Sequence, residues 1–274
     1  DFLRIIMDIS IITTVKNNPL GIYSTIKSVI NQRNFKNIEY VIVDASTDKH
    51  TSLVINNLLK DKHFKNITYI KFHDNNLYKG LNKGIKISRG KYIGTLNSGD
   101  IYYDKAVLGK VAKTIKRKPS LNIIFGNIIF FNIFDVVRLW QISKKKLEID
   151  PFMIPHPGCF IKKSILVKNN YYSTKYTISS DLDFFLKAKT DLNFDFCFIN
   201  QNLVFMRLGG LSTNIEKFPI KIFEDLAILF SHYSIFFLFF YIKKIIVKLP
   251  GMFFLKNKNK YYQVLLNRFL ELSK

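Results

Sequence analysis

Apolar and polar positions alternate along the first half of the chain with two different periods. Residues 9–15 (ISIITTV) form a β-branched run that stops at Asn17, Asn18 and Pro19, and Asn18 followed by Pro19 suits an N-cap and first helical position. The spacing predicts a helix from Leu20 to about Ile30, then a second strand, IEYVIVD, closing at Asp44. Ser46, Thr47 and Asp48 offer caps for a helix reaching about Leu59. ITYIKF (67–72) reads as a third strand, Gly80 to Ser88 as a short helix, and KYIGTL (91–96) as a fourth strand running into the polar loop Asn97-Ser98-Gly99-Asp100. A helix from Asp104 to about Lys116, a strand at 122–131, a less regular stretch to Pro157 and a helix start at Asp181 follow. Such alternation predicts an α/β fold, a mostly parallel sheet with helices on both faces.

The pattern changes at Leu226. Residues 226–242 (LAILFSHYSIFFLFFYI) are apolar except for Ser231, His232 and Ser234, and eight Lys/Arg against one acid, Glu271, follow from Lys243 onward. A spanning helix needs roughly 20 predominantly apolar residues, and this run falls slightly short. An in-plane helix backed by basic residues is the preferred expectation, ahead of a spanning helix or a buried one. Pro250-Gly251 then precedes a last apolar patch, Met252 to Leu255. The division expected is a catalytic domain over 1–215 and a hydrophobic and basic helical tail, membrane-associating, over 216–274.

Charge narrows the partners. Lys and Arg number 42 against 20 Asp and Glu, a net charge of +22, which draws the chain toward nucleotide diphosphates, lipid headgroups or nucleic acid. Nucleic acid is disfavoured, because the densest basic group follows an apolar helix instead of forming a platform with aromatics. The two cysteines, Cys159 and Cys197, form no Cys-x-x-Cys pair, which fits a reducing cytoplasm. The first residues have no apolar core with a small-residue cleavage site, so no secretory signal peptide is expected.

In open α/β sheets ligands bind beyond the carboxyl ends of the strands, which nominates Thr13, Thr14, Asp44 and Asp100. Asp100 either holds a divalent cation against a diphosphate or caps the next helix. Asp44 either accepts from a ribose or base donor or caps its own turn with Ser46 and Thr47. Asp181 and Asp183 point in different directions from one helix start, so one can serve as general base while the other caps or pairs with a base. His156, held between Pro155 and Pro157, either meets phosphate or acceptor or packs its loop. No Walker loop, Gly-x-Ser-x-Gly elbow, metal-ligand histidine cluster or Gly-x-Gly-x-x-Gly follows the first strand, which removes most kinase, hydrolase and dehydrogenase readings.

Taken in order, DISIITTVKNN, SVINQ, IEYVIVDASTD, Asp74 with LYKGLNKGIKISRGKYIGTLNSGD, PHPGCFIKKS, ISSDLDFFLK and MRLGGLS resemble the family 2 glycosyltransferases, inverting enzymes of GT-A fold that include bacterial polysaccharide and O-antigen transferases. The resemblance covers residues 7–214. It implies a UDP-, GDP- or dTDP-sugar donor, with UDP favoured, a divalent cation (Mg²⁺ or Mn²⁺), and a glycan or polyprenyl-linked acceptor at the inner face of a bacterial membrane. By position it implies Asp100 as metal ligand, Asp181 as acceptor-activating base, and Thr13, Thr14, Asp44, Asp74, Asn82, Lys83 and His156 as nucleotide-sugar contacts. The chain departs from the family's usual form at Gly99, where a second acid is common, and at Asn76 and Lys79. Gly99 is the basis for an alternative, a catalytically impaired scaffold of the same fold.

Overall fold

A computed structural model describes residues 7–33, 38–60, 66–132, 135–140, 152, 154–191, 195–248 and 258–273. The expected patch from Met252 to Leu255 and the Pro250-Gly251 break lie outside the described residues. One sheet organises the fold, with strands β1 (Ile9–Val15), β2 (Ile38–Asp44), β3 (Ile67–Lys71), β4 (Tyr92–Thr95), β5 (Ile101–Tyr102), β6 (Ile123–Phe131), β7 (Val136–Trp140), β8 (Cys159–Lys162) and β9 (Phe196–Arg207). Its order is β3-β2-β1-β4-β8-β6-β9-β5, with β7 pairing β6 beside the half that β8 leaves open. β1, β2, β3 and β4 are mutually parallel, as are β6 and β9, whereas β8, β7 and β5 run antiparallel to their neighbours.

Strands that are covered on both faces read as unbroken apolar runs, and β2 is buried at every position. One face is covered by α1 (Pro19–Ile30), α2 (Lys49–Leu59) and α4 (Val107–Arg117), through Ile22, Ile26, Ile55, Val107 and Val111. The other is covered by α3 (Leu77–Ile87), α5 (Lys163–Lys168) and α6 (Ser180–Asp191), through Leu81, Ile85, Leu166, Phe184 and Phe185.

Two helix starts differ from the sequence expectation. α3 begins at Leu77, not Gly80, because the Asn76 side chain accepts from the backbone N–H groups of Tyr78 and Lys79 at 2.9 and 3.1 Å. Gly80 is interior to the helix, and Gly84 marks its closest approach to the sheet: a Cβ there would stand 2.6 Å from Ile12 Cγ2. α4 begins at Val107, not Asp104, whose carboxylate instead accepts from Ala106 N–H at 2.7 Å.

The apolar run of the tail is two helices, not one. α7 (Phe218–Tyr233) and α8 (Phe237–Lys248) meet at Ser234, whose φ of +47° breaks the helical path. Residues 215–246 have the length of a membrane-crossing helix, and their most apolar 18-residue window has a mean hydropathy of 1.7. Yet Lys244 of α8 forms an ion pair with Asp225 of α7, and Tyr233 stacks on Phe240 with ring centroids 3.6 Å apart, so the segment folds back as a hairpin. The last helix, α9 (Lys258–Ser273), returns to the sheet and packs Leu265 and Leu272 against Ile101, Ile129 and Phe205.

Candidate active site

The carboxyl ends of β1, β2 and β4 are laced together by short polar side chains. Asn17, at φ +48°, accepts through Oδ1 from the backbone N–H groups of Thr47 and Asp48, tying the turn after β1 to the turn after β2. Thr13 Oγ1 donates to the Leu96 carbonyl at 2.7 Å and Thr14 Oγ1 to Asn97 Oδ1 at 2.9 Å, tying β1 to the loop after β4. Thr13 is fully buried and also accepts from Tyr40 Oη, so it is a strut; Thr14 is partly exposed.

Asp44 and Asp100 end neighbouring loops in opposite states. Asp44 Oδ1 accepts from Ser46 N–H at 2.8 Å, and Oδ2 meets Tyr69 Oη at 2.8 Å, Ser52 Oγ at 3.2 Å and Lys71 Nζ at 2.7 Å. Burial works to raise its pKa, but the Lys71 ammonium and these donors outweigh it and hold the carboxyl below its ordinary range. Its side chain is 0% exposed, so as it stands it offers no surface to a nucleoside. Asp100 is buried too, but among the described residues only one donor, Arg207 N–H at 2.9 Å, compensates it. Burial pushes its carboxyl up to about 7. No ion pair reaches it among the described residues.

The backbone explains Gly99. Its φ is +104°, and a Cβ would lie 3.3 Å from Arg207 Cδ, so a second acid is disfavoured both by conformation and by space. Among the described residues there is no cluster of three or more His, Cys, Asp or Glu that could hold a metal ion. Mg²⁺ and similar cations are commonly held by one or two carboxylates together with substrate phosphates. An under-compensated buried carboxylate such as Asp100 fits that minimal donor set, with the remaining oxygens coming from a bound diphosphate.

The second half of the rim is built on α3 and α6. β8 runs antiparallel to β4, so its beginning, with His156 just before it, lies at the carboxyl end of β4. The first turn of α3, which follows β3, carries Tyr78, whose hydroxyl donates to Ile178 O at 2.7 Å and stands 3.3 Å from Asp181 Oδ1. Asp44, Asp100 and Asp181 therefore share one end of the sheet. Asp183, two residues on, is committed elsewhere: it pairs with Lys187 at 2.6 Å and His232 Nε2 at 3.1 Å.

The remaining candidates divide by exposure. Asn82 spends both ends of its amide on the backbone of Tyr172, donating to its carbonyl at 2.8 Å and accepting its N–H at 3.1 Å. His156 is enclosed: Nε2 lies 2.8 Å from Tyr172 Oη, and the ring stands edge-on to Tyr172 and Phe185. Burial depresses its pKa against the opposing pull of Asp181, which favours neutral imidazole over a phosphate-binding cation. These two side chains brace the Tyr172 cluster. Asp74 is partly exposed and pairs with Lys79 at 2.8 Å, which holds its pKa low; Lys83 is exposed on α3.

Tyr78, Arg207 and Glu224 were not singled out from the sequence. Tyr78 and Arg207 lie inside the quoted segments LYKGLNKG and MRLGGLS; nothing local marks Glu224, whose contacts are with residues 177–179.

A mostly parallel sheet flanked by helices, with a strand-end and a helix-start aspartate at the same end, has the architecture of the GT-A fold. The chain belongs to glycosyl transferase family 2, whose profile matches residues 10–170. It is 28% identical over 199 residues to an uncharacterized glycosyltransferase of Methanocaldococcus jannaschii, covering 68% of this chain and 67% of the relative. It is 23% identical over 194 residues to a PGL/p-HBAD biosynthesis glycosyltransferase of Mycobacterium bovis, covering 65% and 68%. Among solved structures, S. aureus TarS 1–349 in complex with UDP-GlcNAc superposes with a TM-score of 0.65 at 15% identity, over 97% of this chain and 82% of that one. The mannosyltransferase PcManGT of Pyrobaculum calidifontis, in complex with GDP-Man and Mn²⁺, gives 0.59 at 9% identity, over 97% and 85%.

Proposed function

We propose that this transferase moves a sugar from a nucleoside diphosphate donor, UDP-linked for preference, to a hydroxyl of a glycan or lipid-linked glycan during cell-surface polysaccharide synthesis. It works in the cytoplasm, peripherally attached to the inner face of a bacterial membrane. The observation that carries the reaction is the contrast between the two acids in the first turn of α6. Asp183 is consumed by Lys187 and His232, whereas Asp181 stands partly exposed beside Tyr78 on the rim that also bears Asp100. Relatives of this fold that hold UDP-GlcNAc, or GDP-Man with Mn²⁺, support the donor class.

The acceptor oxygen attacks the anomeric carbon as the bond to the diphosphate oxygen breaks. Asp181 takes the acceptor proton, and a single displacement inverts the anomeric centre. Asp100 would hold a divalent cation, Mg²⁺ or Mn²⁺, which supplies charge neutralisation to the departing diphosphate. Thr14, Asp74 and Lys83 contact the donor. Thr13, Asn82 and His156 stand behind them as supports, and Asp44 acts through the Tyr69, Ser52 and Lys71 groups that it gathers.

Membrane attachment rests on the hairpin. Only 17% of the most apolar stretch within 215–246 is buried. α7 presents Ile220, Phe223 and Phe230, and α8 presents Leu238, Phe239, Ile242 and Ile246, outward at helical spacing, with exposed Lys217 and Lys243 beside them. An apolar face edged by lysines suits the headgroup boundary of an anionic leaflet.

The decisive experiment replaces the base. Asp181→Asn and Asp181→Ala are expected to lower turnover by about 10²-fold or more while donor affinity holds, the scale of a positioned general base. Sugar transfer that survives both substitutions within a few-fold puts the base elsewhere. A thermal-shift screen of nucleotide sugars with Mn²⁺ identifies the donor, since a ligand bound only by the native state raises its melting temperature.

A further inference from the structure

The hairpin reaches the chemistry through one buried carboxylate. Glu224 of α7 is 7% exposed, and both of its oxygens are turned toward the segment that leads into α6. Oε1 accepts from Thr177 N–H at 2.7 Å and Thr177 Oγ1 at 2.8 Å; Oε2 accepts from Ile178 N–H at 2.9 Å and Ser179 N–H at 3.0 Å. Thr177, Ile178 and Ser179 precede α6, so their backbone N–H groups have no acceptor within that helix and a buried turn must find one elsewhere. A neighbouring Ser or Asp commonly fills that need. Here the acceptor comes from another helix, more than forty positions along the chain.

Other contacts fasten the same two elements. Lys221 Nζ lies 3.4 Å from Ser179 Oγ, His232 Nε2 reaches Asp183 Oδ1, and Ile228 and Leu229 pack in one apolar cluster with Leu182 and Leu186. The clamped positions flank Asp181 on both sides. On its other face the carbonyl of Ile178, whose N–H Glu224 holds, accepts from the Tyr78 hydroxyl that borders Asp181. A continuous path therefore runs from Glu224 through Ile178 and Tyr78 to Asp181.

We propose that Glu224 is a positioning residue: it fixes the 177–179 turn to the apolar hairpin, and through that turn and Tyr78 it aims the Asp181 carboxylate at the acceptor hydroxyl. This rests on the reading of Asp181 as the base. Glu224 touches no substrate. Its effect belongs to the chemical step, because the donor rim of β1, β2 and β4 is held by a separate set of bonds.

The test is a double-substitution cycle on the full chain, assayed well below each variant's melting temperature. Glu224→Gln keeps one acceptor oxygen, and Glu224→Ala keeps none. We expect kcat to fall by about tenfold and about 10²-fold respectively, as a displaced catalytic group does, with the donor KM changed by no more than about twofold. In an Asp181→Ala background Glu224→Gln should cost almost nothing further, since a residue acting through another loses its effect when that other is gone. A purely structural role predicts losses that multiply in the double variant, and that result overturns the proposal. If Glu224→Ala does not fold, the Glu224→Gln cycle decides alone. Wild-type protein with no transfer to any acceptor overturns the functional reading and this inference together; wild-type transfer with multiplying losses overturns the inference alone.

Discussion

The sheet and the hairpin differ in where they put their large apolar side chains. Across β1, β2 and the helices that cover them the interior is Ile, Val, Leu and Tyr, and polar groups inside, such as Thr13 and Asp44, are tied by several hydrogen bonds. In the hairpin Ile228 and Leu229 are buried beside the charged Glu224, Asp225 and Lys244, while Phe223, Phe230, Phe236 and Phe239 are 58–74% exposed. Water explains the first arrangement through the cost of exposing apolar surface. It does not explain the second, and large aromatic side chains turned outward are the feature on which the proposed membrane attachment rests.

The comparison is broken most forcefully at the charged interior. Asp225 pairs with Lys244, and Lys221 stands 3.6 Å from the same oxygen. Removing one partner of a buried pair leaves an uncompensated charge and costs about 3–5 kcal/mol. Lys244→Met or Asp225→Ala should therefore open the hairpin, seen as lost hydrogen-exchange protection over α7 and α8 with β1 and β2 still protected. The double variant Asp225→Leu/Lys244→Met should regain most of that protection, because well-packed apolar replacements of a buried pair are often neutral. If the double variant exchanges as fast as either single one, the pair is not what closes the hairpin.

The outward face carries the next largest effect. Each fully buried Phe is worth about 1.5–3 kcal/mol, so Phe223→Ser, Phe230→Ser and Phe239→Ser should each weaken binding to anionic vesicles by about tenfold. Co-sedimentation of the triple variant with vesicles at the wild-type level removes the membrane from the account. Substitution is a cleaner probe than deleting the tail, because α9 covers Ile101, Ile129 and Phe205 and its loss would uncover the sheet.

What could be read in advance follows from how local each cause is. β1 and β2 announce themselves because strands covered on both sides are rich in Ile, Val and Thr, and Asp100 because a polar Asn-Ser-Gly-Asp loop ends the strand-like run before it. α3 begins three residues before the helix that the spacing predicts, because Asn76, a departure from the family pattern, is its cap. β9 was not expected: Asn200, Gln201 and Asn202 interrupt its alternation where the pairing with β6 shifts register at Asn127. The turn at Ser234 has neither Gly nor Pro to signal it. Glu224 is illegible because its four donors lie far away along the chain, and sequence pattern carries no information about which distant turn a buried carboxylate will hold.

The smallest effect sharpens the contrast within the sheet itself, between Asp44 and Asp100. An Asp in the unfolded chain ionises near its ordinary 3.8, whereas Asp100 in the folded protein holds its proton up to about 7. Between those values the native state binds more protons than the unfolded state, so this group's contribution to stability declines as pH rises through that window. Asp100→Asn removes the decline. Against wild type it should show no gain near pH 3, a growing gain from about pH 4 to pH 7, and a plateau of about 1–2 kcal/mol above, below the full linkage value because the amide fits the Arg207 N–H less well. Thermal melts across pH read it directly. If Asp100 holds the cation as proposed, Mn²⁺ with donor should stabilise wild type above pH 7 and leave Asp100→Asn unmoved. Equal stabilisation of both proteins would assign the cation to another ligand, and a flat pH difference would show that solvent reaches Asp100 more freely than its burial indicates.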